Sequence, residues 1–227
     1  MNIVITGAGK GIGLALVRRF LQSPDHNIWA CSRHVAALET IASPRLFIAT
    51  LDIATASAPE ISEQISRHFN SVDILIHNAG VLINKPFETT ALEDWRMVFE
   101  VNLLSVVKIN QALLPMLRKS AAAHIVHIGS MGGVQGSSKF PGLSAYSASK
   151  AALANLTECM AEELQSDGIH VNCLALGAVN TEMLRHAFPD YVADMSSEQI
   201  AEFIYDFSIN RRSFFNGKIL PVAASTP

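Results

Sequence analysis

Apolar positions along this chain of 227 residues follow two alternating periods. Short, nearly continuous apolar runs recur at 2–5 (NIVI), 27–31 (NIWAC), 46–49 (LFIA), 72–76 (VDILI), 124–128 (HIVHI), 169–175 (IHVNCLA) and 218–222 (KILPV). They are rich in β-branched residues and lack polar alternation, which predicts strands covered on both faces. Between them apolar residues return at helical spacing. Ile12, Leu16 and Phe20 form a stripe in 12–22, and Ile61, Ile65 and Phe69 one in 57–69. Residues 92–119 carry Trp95, Phe99 and Leu103, then Ile109, Leu113 and Met116; residues 145–165 carry Leu153, Leu156, Met160 and Leu164. Strand–helix alternation of this kind predicts an α/β fold with a doubly wound, mostly parallel sheet of about seven strands and helices on both faces. There is no internal repeat, low-complexity tract or long linker, so a single domain over 1–227 is expected.

Composition narrows the function without naming it. A net charge near −3 gives no general attraction to nucleic acid or an anionic membrane. No interleaving of aromatic and basic residues suggests a base-stacking platform. The opening MNIVITGAGKGIG has four apolar residues and no basic lead-in, so neither a secretion signal nor a membrane span is expected there. Cys31, Cys159 and Cys173 have no C-x-x-C spacing and stand in apolar context, which predicts reduced thiols, a cytoplasmic protein and no metal site.

The first crossover carries candidate chemistry. NIVITGAGKGIG reads as strand, glycine-rich turn and helix start, the entrance of a Rossmann-type nucleotide fold. Gly7, Gly11 and Gly13 allow a turn without Cβ atoms, close approach of a pyrophosphate, and tight helix–sheet packing. The spacing is G-x-x-x-G-x-G, and the G-K-[ST] ending of a phosphate-transfer loop is missing. After the second strand, where an acidic residue would hold a ribose diol, stand Ser32 and Arg33. A guanidinium there, with Lys10 in the loop, suits a 2′-phosphate and hence NADP(H); the alternative is two ordinary surface charges. Asp52, closing the third strand, is either an acceptor for an adenine amino group or a strand-end cap. In SAYSASK, Tyr146 and Lys150 are four apart and share one helix face.

TGAGKGIG (6–13), HNAG (77–80), Asn102 in VFEVNLLS, Ser130 in HIGSMGG and the Y-x-x-x-K pair Tyr146 and Lys150 occur in an order that resembles the short-chain dehydrogenase/reductase family in its classical form. The resemblance covers essentially residues 2–222. It implies an NAD(P)-dependent oxidoreductase acting on a carbonyl or alcohol, assembled as a homodimer or homotetramer. It also implies that Gly7, Lys10, Gly11, Ile12, Gly13, Ser32, Arg33, Asp52, Ile53, Asn78, Ala79, Gly80, Tyr146, Lys150, Gly177, Val179 and Thr181 line the cofactor. Tyr146 would be the general acid/base, Lys150 would hold the ribose and favour the phenolate, and Ser130 would position the substrate oxygen. Asn102 is polar within an apolar stripe; it either supports a proton relay or partners a helix kink. Ser144 is expected to cap the Tyr146 helix.

Two departures from the family pattern bear on substrate. Ser130 and Tyr146 are separated by the long Gly- and Ser-rich MGGVQGSSKFPGLSA, which either bulges away harmlessly or forms one wall of the substrate pocket, and Leu176 replaces a proline before Gly177. The aromatic segment 182–212 falls where the family places a substrate lid, and its apolar character, apart from Arg185, Arg211 and Arg212, suits an apolar or medium-sized carbonyl compound; the alternative is helices that simply cover the sheet edge and an oligomer interface. The alternative to an NADP-dependent enzyme is a cofactor-binding regulatory protein with little turnover; a lyase or epimerase of related fold is a third reading.

Overall fold

The structure, a computed structural model, describes residues 1–223. All seven predicted runs become parallel strands of one sheet: β1 (Asn2–Thr6), β2 (Asn27–Ser32), β3 (Leu46–Thr50), β4 (Ile74–His77), β5 (His124–Ser130), β6 (His170–Leu176) and, after a small two-stranded ladder of β7 (Val179–Asn180) and β8 (Met195–Ser196), β9 (Ile219–Val222). Their order is β3-β2-β1-β4-β5-β6-β9. The chain builds outward from β1 and then returns to its other side with β4. The connections leaving β1 and β4 therefore turn to opposite faces of the sheet, the helix Gly11–Leu21 to one and the helix Ser105–Leu117 to the other, which makes this the switch point where such sheets take ligands.

Helices α1 (Gly11–Leu21), α2 (Ala36–Glu39), α3 (Ala58–Ser66), α4 (Leu92–Phe99), α5 (Ser105–Leu117), α6 (Ser144–Glu163), α7 (Glu182–Ala187) and α8 (Ser197–Asn210) surround the sheet. Strand periodicity divides the core. Ile3 and Ile5 face Leu16 and Phe20 of α1 and Ile200 and Ile204 of α8, whereas Val4 faces Ile61 and Ile65 of α3 and Ile109 and Leu113 of α5. Each such side chain, buried, contributes about 1.5–3 kcal/mol. α3 begins with a reciprocal Ser57–Glu60 capping box.

The long helical pattern over 92–119 is not one regular helix. A π turn, Glu100–Leu104, joins α4 to α5 and inserts extra backbone into the repeat. Val98 and Asn102 are buried in place of the expected Trp95, Phe99 and Leu103, which stay half-exposed; Ile109, Leu113 and Met116 are buried as expected. By length and composition, Leu92–Leu117 would pass for a membrane span, although one side of it packs on the sheet. In α6 the buried line is Ala145, Ser149, Leu153, Thr157 and Ala161, with Lys150 beside it, while Leu156 and Met160 are half-buried. Ser144 is the first helical residue, Leu143 takes the cap position, and no side chain caps the helix. Cys159 lies exposed on α6, unlike the buried Cys31 and Cys173, because it falls on the outer face of that helix.

A polar row crosses the buried sheet: Thr6 lies beside His77, His77 beside His127, and His127 beside Cys173. Asn110 of α5 bridges both histidines: its Oδ1 accepts from His77 Nε2 at 2.9 Å and its Nδ2 donates to His127 Nε2 at 3.4 Å, while Thr157 Oγ1 accepts from His127 Nδ1 at 2.8 Å. Burial pushes His77 down to about 4 and His127 well below 6.5; His124, also buried, falls to about 4. Since the unfolded histidines bind protons from pH 6.5 downward and the folded ones do not, stability present above pH 6.5 is lost as pH falls toward 4. Three such groups should remove about 4 kcal/mol per pH unit near pH 5. Urea midpoints at pH 7 and pH 5 measure this, and equal midpoints would contradict it.

Candidate active site

The glycine loop leaves β1 at the crevice. Gly7 has φ +67°, and a Cβ there would lie 2.6 Å from the Ala79 Cα, so the loop and the N-A-G segment after β4 touch backbone to backbone. Asn78 Nδ2 donates to the carbonyls of Thr6 and Gly7 at 3.2 and 2.9 Å, and the Ala79 N–H donates to Thr6 Oγ1 at 3.2 Å. Gly13 packs so closely under Gly7 that a Cβ would sit 2.2 Å from its carbonyl oxygen. The Lys10 side chain does not cap α1, and no acidic residue occupies the first turn, which leaves the N–H groups of Gly11, Ile12 and Gly13 suited to an anion. The cradle fits a dinucleotide pyrophosphate.

Beyond β2, the Ser32 side chain turns toward the loop, its Oγ 2.6 Å from where a Cβ on Gly9 would stand. Arg33 is exposed and has no ion-pair or hydrogen-bond partner among the described residues. Lys10, also exposed, pairs with Glu182 at 2.9 Å, a solvent-facing ion pair beside the glycine loop. One oxygen of Asp52 accepts from the Ala54 N–H at 3.0 Å, the strand-end turn that the sequence left open, and Ile53 is buried beside it. Leu176 is buried and continues the β6 ladder opposite Val222, which accepts from the Gly177 N–H at 2.9 Å. Val179 is buried in β7, and Thr181 caps α7 by accepting from the Leu184 N–H while its methyl overlies Gly11.

Ser130 ends β5, and Tyr146 and Lys150 project from α6 toward it. Burial raises the Tyr146 phenol above 10, and a hydrogen bond with Ser130 pulls it back. Lys150 Nζ lies 5.9 Å from the centre of the Tyr146 ring and donates to the Ile128 carbonyl at 2.7 Å. Burial holds this ammonium down to about 8. Asn102, wholly buried in the π turn, clamps Val81: its Oδ1 accepts from the Val81 N–H at 2.8 Å and its Nδ2 donates to the Val81 carbonyl at 3.0 Å. The same Nδ2 donates to Ser149 Oγ at 2.9 Å. Gly80 stands between the two groups, its Cβ position 3.4 Å from Asn102 Oδ1 and 3.7 Å from Lys150 Nζ. A phenol, a hydroxyl and an ammonium thus converge beside a phosphate cradle, an arrangement able to protonate a carbonyl oxygen next to a bound dinucleotide.

The segment 182–212 divides at Ser197. α8 buries Ile200, Ala201, Ile204 and Phe207 against α1, where Arg19 pairs with Glu202 and lies 3.5 Å over the Tyr205 ring. That i, i+1, i+4, i+7 spacing is a core face, so 197–210 belongs to the sheet covering, which leaves 182–196 as the remainder of the segment. Sequence reasoning also missed Asn84 and Glu182, whose contacts bridge distant segments and leave no local pattern.

A family model described as short chain dehydrogenase matches residues 1–192. Among curated relatives, oxidoreductase BOA17 of Botryotinia fuckeliana is 32% identical over 78% of this chain, which spans 65% of that protein's length. Benzil reductase ((S)-benzoin forming) of Saccharomyces cerevisiae is 32% identical over 80% of this chain and 72% of its own. Meso-2,3-butanediol dehydrogenase of Serratia marcescens is 29% identical over 97% of this chain and 92% of its own. Of solved structures, a Shigella flexneri short chain dehydrogenase complexed with NADP superposes with TM-score 0.86 at 26% identity, covering 97% of this chain and 95% of that one.

Proposed function

Because this chain belongs to the short chain dehydrogenase family and is an oxidoreductase by that membership, we propose that it moves hydride between NADP(H) and an apolar carbonyl or alcohol substrate. The observation that carries this reading is the convergence of Ser130, Tyr146 and Lys150 beside the Gly7–Gly13 cradle. When bound, the cofactor supplies or accepts the hydride. In reduction the Tyr146 phenol gives its proton to the substrate oxygen, and Ser130 donates a second hydrogen bond that orients it. Lys150 would hold the cofactor ribose, and its ammonium would favour the phenolate left behind. Asn102 fixes the Val81 backbone, and with it the N-A-G wall; proton supply to Lys150 is its proposed second role. Exposed apolar surface on Phe140, Met183, Tyr191 and Val192 suits an apolar substrate, and 182–196 is proposed as the lid. A screen of NADPH consumption over aldehydes, ketones and quinones, with NADH as control, tests the assignment. Cofactor binding without any turnover would favour the regulatory reading instead.

NADP(H) rather than NAD(H) is proposed because no carboxylate follows β2 and Arg33 is unengaged. Arg33→Asp should reverse or abolish the preference, with NADPH affinity falling about tenfold or more, the weight of one charge-assisted phosphate contact. Dissociation constants by cofactor fluorescence measure it; equal or tighter NADH binding by the wild type would overturn it. We also propose a homodimer or homotetramer in the cytoplasm: Phe87, Leu92, Met97 and Leu104 each expose apolar area to solvent, and light scattering reads the assembly directly.

A further inference from the structure

Three segments leave adjacent strands at the same end of the sheet: 78–86 after β4, 131–143 after β5, and the stretch that leads through β7 into α7 after β6. Asn84 joins all three. Its Nδ2 donates to the Ala187 carbonyl at 2.7 Å, satisfying one of the acceptors that the end of α7 leaves open. Its Oδ1 faces Gly142, where a Cβ would lie only 1.9 Å away and where φ is +84°. Only glycine accommodates both the conformation and the approach. Next to it the Lys85 N–H donates to the Gly142 carbonyl at 3.0 Å, and Lys85 Nζ is anchored to Asp94 of α4 at 2.7 Å. Gly142 stands two residues before the helix that carries Tyr146. The far end of α7 is fastened separately, through the Thr181 cap and the Glu182–Lys10 pair.

We infer that Asn84 is a positioning residue for substrate, fastening the last turn of α7 to the Gly142 turn so that α7 and the long Ser130–Tyr146 loop form one wall of the pocket. Without that link the last turn of α7 would lose its tie to the Gly142 turn, which would keep only its backbone bond to Lys85. The wall would then sample open arrangements more often, and substrate would be bound by a smaller closed fraction of the protein. The cofactor cradle does not include Asn84, so cofactor affinity is independent of it. The kinetic side of this inference rests on the proposed carbonyl reduction; the structural side does not.

Two variants separate the link from simple packing. Asn84→Ala removes both contacts, whereas Asn84→Asp keeps an oxygen toward Gly142 and replaces the donor by an oxygen that repels the Ala187 carbonyl. Hydrogen exchange of amides 183–192 should speed up three- to tenfold in both, the range of one modest hydrogen bond. KM for the carbonyl substrate should rise by a similar factor, with kcat within twofold and NADPH affinity unchanged. If Asn84→Asp matches the wild type in exchange and KM, the residue merely packs the Gly142 turn and the inference fails. Unchanged exchange in both variants also overturns it. Should the wild type reduce no carbonyl at all, the functional reading falls while the exchange comparison still decides the role of Asn84.

Discussion

Tyr146→Phe should fold, bind NADP(H) and lose between two and four orders of magnitude in turnover. The ring stays, so the half-buried packing of α6 against β5 is kept; only the oxygen that meets Ser130 and the substrate is removed. General acid catalysis is worth about 10²–10⁴ in rate, which sets the size of the loss. The pH dependence follows from the same group. Burial raises the phenol above 10, so the proton needed for reduction is present throughout neutral pH and is withdrawn only in strong alkali. The reverse oxidation needs the phenolate and should climb as pH rises. Circular dichroism, cofactor fluorescence and steady-state rates on one confirmed substrate suffice. Retention of more than about a tenth of wild-type turnover would exclude Tyr146 as the acid.

Lys150→Met should have two opposite effects: turnover lost by about three orders or more, and a cofactor-free protein more stable than its parent. The ammonium is buried and its folded pKa, about 8, lies below the ordinary 10.5. Between those values the unfolded chain binds more protons than the folded one, so stability rises with pH across that window and the whole penalty is present below pH 8. At 1.36 kcal/mol per pKa unit, and with the hydrogen bond to the Ile128 carbonyl lost, replacement by an apolar chain of similar length should add about 2 kcal/mol at pH 7. For a chain of this size that is roughly 4–8 °C in Tm. A variant no more stable than the wild type at pH 7 would show that the ammonium is better compensated than its surroundings suggest. One that kept a tenth of turnover would remove Lys150 from the chemistry.

The strands were legible because burial on both faces leaves an uninterrupted apolar run, and the glycine loop because backbone conformation and close approach demand glycine at fixed places. Where a side chain's neighbours come from distant segments, the sequence was mute. His77 and His127 look like polar interruptions of strands; only Asn110 and Thr157, from two different helices, make them admissible inside the sheet. Lys10 reads as a free cation until α7 brings Glu182 to it. The stripe through Trp95 and Phe99 was misaligned for a local reason, since a π turn changes the helical period without any glycine or proline to announce it. In 182–212 the aromatic content masked two behaviours, and the heptad-like spacing of Ile200, Ile204 and Phe207 separates the core helix from the cover.

That π turn bears on how the gene can tolerate deletions. A π turn is an α-helix holding one residue too many, and the surplus lies among Glu100–Leu104. Losing a single codon there would give a smoother, locally more favourable helix. The helices on either side would keep their mutual orientation, because the wide turn already takes up the rotation of about 100° that an extra residue brings. Ile109 and Leu113 would stay in the core, whereas the wide turn that presents Asn102 to Val81 would be gone. A one-residue deletion here that spares Asn102 should therefore cost the fold less than the same deletion inside α5, and show its damage at the Val81 clamp.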